Sequence, residues 1–236
     1  MSLKRIYAVF LRQMFLIKGS PARLAAVFTW QLIDILQWGF ISKYLGTFGQ
    51  ATFGFITVIL GAIILWEFVS RMQQGIMTAF LEDIWTQNFL NFFASPIKVS
   101  EYLSGLVLYS VVSGAVGLVM MLLIAGLLFG YNIFILGLYL LPFFIILFIF
   151  GMSMGILVSA IIFRLGPTAE WLGWPIPLVL SIFAGVFYPV AILPGALQIV
   201  SRLIPASYVF ESFRAILAGS GFSSALAVNL LLGAGL

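Results

Sequence analysis

Uncharged apolar runs long enough to cross a bilayer recur along this chain, and they leave very few folds open to it. Tyr102 to Phe129 and Ile133 to Phe163 contain no Asp, Glu, Lys or Arg. About 20 apolar residues in a helix cover a hydrocarbon core of about 30 Å. In lipid, only helices and closed barrels satisfy every backbone N–H and C=O. With 63% hydrophobic and 8% charged residues and a mean hydropathy of +1.21, little of the chain is left for a soluble domain. The expected fold is all-α, a polytopic membrane helical bundle forming one domain over residues 1–236. No repeat of 20–50 residues and no linker divides it.

Six spans are expected. The first runs from about Arg23 to Leu45 and the second from about Ala51 to Val69, ending at Arg71. Residues 73–101 form the longest polar stretch, with Glu82, Asp83, Gln87, Asn88, Asn91 and Lys98. A third span covers Tyr102 to Phe129, and Gly130-Tyr131-Asn132 turns the chain. A long fourth span, Ile133 to Phe163, contains Pro142, and the fifth begins near Trp171 after the polar loop Arg164 to Glu170. The run Ser224 to Leu236 starts a sixth but stops at 13 residues, short of a crossing, so that span is expected to be incomplete here.

Before the first span, residues 1–20 read as an interfacial amphipathic helix. Leu3, Ile6, Phe10, Met14 and Ile17 share one face, while Lys4, Arg5, Arg12 and Lys18 lie elsewhere, near anionic lipid heads. Arg12 and Lys18 interrupt any signal-peptide core, and no small-residue cleavage site follows. With the N-terminus cytoplasmic, the inner side carries Lys4, Arg5, Arg12, Lys18, Arg23, Arg71, Lys98 and Arg164, and the outer side Lys43, Arg202 and Arg214. Eight cations against three favour that orientation.

Chemistry is narrowed by what is missing. The chain has no Cys and no His, which removes thiol nucleophiles, disulfides, imidazole metal ligands and the usual neutral-pH base. It has no phosphate-binding Gly-x-x-x-x-Gly-Lys-Ser/Thr loop. A pathway through the membrane is the better-supported function. The fifth apolar run breaks at Gly185-Val186-Phe187-Tyr188-Pro189 and resumes through Pro194, Arg202, Pro205 and Arg214. Irregular backbone at membrane depth survives only where protein or a water-lined cavity satisfies it. Residues 187–214 therefore read as a re-entrant region, with Phe187, Tyr188, Pro189, Pro194 and Pro205 as a candidate outer gate. Arg202 and Arg214 either snorkel to lipid heads or contact an anionic substrate.

Elsewhere, Gln31, Asp34 and Gln37 put a polar stripe on the first span. An unpaired charge there costs about 2.5–3.5 kcal/mol on insertion scales. The favoured reading of Asp34 is structural, protonated or bonded to another helix, so that Asp34→Asn keeps folding and transport. The other is that the stripe lines the pathway. A proton relay is weaker, because no second mid-membrane carboxylate is evident. Glu67 and Arg71, at i and i+4, can pair at the inner end of the second span. Small residues every fourth position (Gly151, Gly155, Ser159; Ser110, Gly114; Ser113, Gly117) allow close helix approach, within the chain or at a dimer seam. In residues 73–101, Ser95-Pro96 looks like a helix start, making Ser95 to Glu101 a short surface helix. That stretch is either a solvated loop whose aromatics rest on lipid or a docking surface.

The order of these features resembles the membrane subunit of a type-2 ABC exporter. Ser95-Pro96-Ile97-Lys98-Val99-Ser100-Glu101-Tyr102-Leu103-Ser104-Gly105 is similar to that family's Ser/Thr-Pro-x-x-x-x-Glu-x-x-x-Gly segment entering the third span. Residues 181–189 with Leu193-Pro194 resemble its Ser-Gly-x-Phe/Tyr-x-Pro and Leu-Pro pair, and 203–208 with Arg214 its Leu-Pro-x-x-Tyr and Arg. The resemblance implies partner coupling through Ser95, Pro96, Ile97, Lys98 and Glu101 to a cytosolic ATP-binding subunit. It also implies a second permease subunit, identical or related, and a prokaryotic cytoplasmic (inner) membrane. This chain would then carry no catalytic site and no cofactor, ATP and Mg belonging to the partner. The rival classes are an ATP-independent secondary transporter or channel, which would want inverted repeats or several intramembrane charges, neither evident in this chain, and a membrane-embedded enzyme.

Overall fold

A computed structural model describes residues 1–47 and 55–219, together with Gly233 and Gly235. Nine α-helices and three short 3₁₀ segments make up the described residues, with no strand among them. The helices are α1 (Leu3–Lys18), α2 (Pro21–Gly46), α3 (Phe55–Trp85), α4 (Phe89–Ala94), α5 (Val99–Phe129) and α6 (Leu140–Leu165). After these come α7 (Pro175–Phe183), α8 (Gly195–Arg202) and α9 (Pro205–Leu217). Three segments are long and apolar enough to cross a membrane, namely Arg23–Gly46, Val99–Phe129 and Ile133–Leu165. The chain is an all-α, multi-pass membrane bundle. The expected sixth span at 224–236 lies outside the described residues, apart from Gly233 and Gly235.

The centre of the bundle is α3, which packs against α2, α5 and α6. It is longer than the sequence suggested. The second span was expected to end near Val69, yet the helix continues to Trp85, through the first half of the stretch read as a polar loop. The apolar pattern does not stop at Arg71: Met72, Ile76, Met77, Phe80 and Leu81 recur at helical spacing and are all buried. Glu67 consequently sits mid-helix rather than at a membrane boundary.

Close packing around α3 explains the small residues. A Cβ on Gly151 of α6 would lie 2.9 Å from the Val69 carbonyl oxygen and 2.8 Å from the Met72 Cβ. One on Gly155 would lie 3.0 Å from the Gln73 carbonyl oxygen. On α5, Ser110 faces Gly75 and donates to the Met72 carbonyl at 2.8 Å, while Gly114 abuts the Met72 side chain. The stripes of Gly151 and of Ser110 are used inside the chain against α3, and Gly117 meets Gln31 of α2.

Two boundaries differ from expectation. Pro142 falls in the first turn of α6, where its missing N–H costs nothing. The long fourth run is interrupted at Gly137, whose φ of 54° and ψ of −132° suit a residue without Cβ. Where the fifth span was expected, a 3₁₀ segment, Pro167–Gly173, leads into α7, only nine residues long and too short to cross a bilayer as one helix.

Candidate functional site

Three regions carry the polar and aromatic residues singled out above. At one end, α1 is fastened to the end of α3 and the start of α5. Arg12 contacts Asp83 at 2.6 Å, and Asp83, fully buried, also accepts from Tyr102 at 2.7 Å and Asn88 at 3.2 Å. Arg5 pairs with Glu101 at 3.3 Å and donates to the Pro96 carbonyl at 2.6 Å. Arg23 pairs with Glu82 at 2.9 Å. Arg5 and Arg12 therefore face protein carboxylates, correcting their placement at lipid heads. Val9 and Gln13 of α1 are buried here as well, and Gln13 donates to the Ala79 carbonyl.

Within this clamp the expected helix Ser95–Glu101 is replaced by a different element. The short helix is α4, Phe89–Ala94, and it ends at Ser95, which is extended at φ −95° and ψ 158°. The residue before a proline disfavours helix, so Pro96 terminates α4 rather than starting a new turn. Lys98 is the N-cap of α5, and its N–H donates to the Glu101 carboxylate at 3.1 Å. Glu101 also accepts from the Ser2 N–H at 2.6 Å and is 1% exposed. It braces the segment from within. Leu90, Pro96, Lys98 and Val99 face outward. Behind them Phe80, Phe89, Phe92, Tyr102 and Phe163 pack in tilted and edge-on pairs around a cavity of about 420 Å³ that Ser95, Ile97 and Lys98 also line.

At the other end, the broken run is closed by side chains. Gly185 has φ of 61°, which suits a residue without Cβ. Arg214 donates to the carbonyls of Gly185 at 2.7 Å and Val186 at 3.4 Å, and pairs with Glu211 at 2.9 Å. Glu211 in turn accepts from the Val190 N–H at 2.7 Å. Ser201 donates to the Phe183 carbonyl, Tyr188 to that of Ile182 and Tyr208 to that of Arg202. The backbone that a membrane would leave unpaired is thus paired by protein. Arg214 is engaged inside the chain instead of reaching lipid or substrate, whereas Arg202 is exposed. Pro189 precedes the 3₁₀ turn Val190–Ile192, Pro194 is the N-cap of α8, and Pro205 is the first residue of α9.

Between these ends lies the polar stripe of α2, which the structure divides. Gln31 is buried against Gly117 of α5, and Gln37 is exposed. Asp34 instead lines a recess of about 230 Å³ shared by α2, α3 and α7, and Glu67 lines it too. A second carboxyl group therefore lines the same recess inside the bundle as the first, where none was expected. The anticipated Glu67–Arg71 ion pair is not among the ion pairs of the described residues. Trp38 stacks on Phe187 with ring centroids 5.0 Å apart, joining this recess to the broken run.

Residues 4–218 match the family model of the ABC-2 type transporter membrane region, nearly the whole chain. The chain belongs to the ABC-2 type transporter family. It is a membrane permease subunit, and no curated protein matches it. The family resemblance pointed to Ser95 through Glu101 and to the residues around Pro189. In this ABC-2 permease Arg12 and Asp83 lie beside the first group and Glu67 lines a recess with Phe187, and the sequence reading named all three without placing them in a site. The signal for Asp83 was available in the helical pattern running on through Ile76 and Phe80.

Proposed function

We propose that this permease is the transmembrane half of an ATP-driven exporter, driven by a separate ATP-binding subunit that docks on the elbow formed by α4 and Ser95 to Val99. The observation that carries the reading is the bracing of that elbow. Its outer side presents apolar Leu90 and Val99, 75% and 69% exposed, beside Lys98. Its inner side is tied to α1, α3 and α5 by the Arg12–Asp83–Tyr102 and Arg5–Glu101 contacts. A push on a segment held this way moves whole helices instead of being absorbed locally. The chain itself performs no chemistry in this scheme, ATP and Mg residing in the partner, and a second permease subunit completes the pathway. The N-terminus, α1 and the elbow face the cytoplasm of a prokaryotic inner membrane. Residues 187–214 form the outer gate.

Pull-down from the native membrane tests this. The ATP-binding subunit is expected to co-purify, and Leu90→Asp with Val99→Asp is expected to abolish its recovery while the permease stays monodisperse. Both residues are exposed, so the exchange spares the core. Charge reversal at Glu101 is a poor test, because it breaks the brace itself. Recovery of the permease alone, folded and at normal abundance, would instead favour the ATP-independent transporter.

A further inference from the structure

We propose that the recess between α2, α3 and α7 binds a hydrophobic organic cation, and that this is the cargo site of the permease. The inference deepens the transport reading and rests on it. Asp34 and Glu67 both line the recess, and no Lys or Arg does. Among the described residues neither carboxylate has a hydrogen bond or an ion pair, although Asp83, Glu82, Glu101 and Glu211 all do. Aromatic faces supply the rest of the wall: Trp38, Trp66, Trp174 and Phe187.

Two carboxyl groups in a low-dielectric wall ionise only against a counter-charge, which an anion does not bring and a neutral ligand does not offer. A cation answers both, and the indole faces favour it further through their quadrupoles. The hydrophobic part of the ligand has room to extend. A second recess of about 600 Å³, toward the clamp, shares Gln74 and Trp174 with the first. Arg23 and Arg71 line that second recess, Arg23 paired with Glu82 at 2.9 Å and Arg71 one turn beyond Glu67 on α3, and neither lines the first. The site also reaches the outer break through Phe187, which lets occupancy and the state of that region influence each other.

The shared chemistry, a cation against indole and carboxylate, fits a free amphipathic cation or the ammonium of a phospholipid head; we assign the free cation. Equilibrium binding of radiolabelled tetraphenylphosphonium to the full chain in phosphatidylcholine nanodiscs, corrected for empty discs, tests the assignment. Saturable binding is expected. It should weaken at least tenfold in Asp34→Asn/Glu67→Gln and several-fold in Trp174→Leu, a half-exposed position. Neutral triphenylphosphine oxide should not compete. Binding that is absent in the native chain, unchanged in the double variant, or matched by the neutral analogue would overturn the cation site. The neutral analogue reads the native chain and needs no variant to fold. Binding seen in phosphatidylglycerol nanodiscs but lost in phosphatidylcholine ones, whose heads carry a quaternary ammonium, would overturn the free-cation source. No ATP-binding subunit enters this measurement, so its failure leaves the docking reading standing, and failure of the pull-down leaves the binding result standing.

Discussion

Arg214 shows how much one side chain carries where a span is broken. Its guanidinium holds the Gly185 carbonyl at 2.7 Å and the Glu211 carboxylate at 2.9 Å, with 16% of the side chain exposed. Truncation would strand a backbone acceptor in a poorly hydrated site, at about 1–3 kcal/mol. Arg214→Ala is therefore expected to lower the midpoint of thermal unfolding in detergent. Arg214→Lys should fall between, since a single ammonium does not reproduce the planar fork that serves carbonyl and carboxylate together. Equal midpoints for Arg214→Ala and the native chain would show that the break is held by other contacts. Arg12 is the counterpart at the far end. Removing it leaves Asp83, fully buried, with Tyr102 and Asn88 as its side-chain donors among the described residues. Breaking one partner of a buried ion pair costs about 3–5 kcal/mol. Arg12→Ala should thus destabilise strongly, and Lys4→Ala, on an exposed part of the same helix, should not; unfolding curves of the two variants decide it.

At the level of elements, α3 organises the bundle because its neighbours approach it through small residues. The atoms they meet differ in kind. A methyl on Gly151 meets a backbone oxygen at 2.9 Å, which cannot move without shifting α3. A methyl on Gly114 meets the tip of Met72, a flexible side chain that can turn away. Gly151→Ala is expected to cost about 1–3 kcal/mol by overpacking, and Gly114→Ala distinctly less. Thermal melts of the purified variants give the order, and a reversed order would mean that α6 is not seated on α3 as described. The spacing of Gly151, Gly155 and Ser159 was legible in sequence, but its partner was not, since a small-residue stripe marks a close approach without naming the helix that makes it. The extent of α3 was obscured differently. Glu82 and Asp83 read as loop residues until their partners, Arg23 and Arg12, are brought to them from more than fifty residues away.

The whole molecule has two unlike ends. Arg23 on α2 meets Glu82 beside the clamp, and Trp38, fifteen positions later on the same helix, stacks on Phe187 at the break. At 1.5 Å per residue that separation is about 22 Å, most of a hydrocarbon core. Composition alone made a membrane bundle legible, and the cation count gives an expected direction. The interior recess was not legible, because Asp34 and Glu67 converge only once α2 and α3 are packed. Orientation has a direct check, helped by the absence of any native Cys. Single cysteines at Lys18 and Gln87, beside the clamp, should react with an impermeant maleimide only when the cytoplasmic face is open to it. One at Arg202, beside the break and exposed, should react from the opposite face. Labelling of all three from one side would contradict both the orientation and the separation of the two ends across the bilayer. Labelling with the sides exchanged would reverse the orientation alone. It would place the elbow away from any cytosolic ATP-binding subunit, which makes this the experiment on which the docking surface and the outer gate both depend.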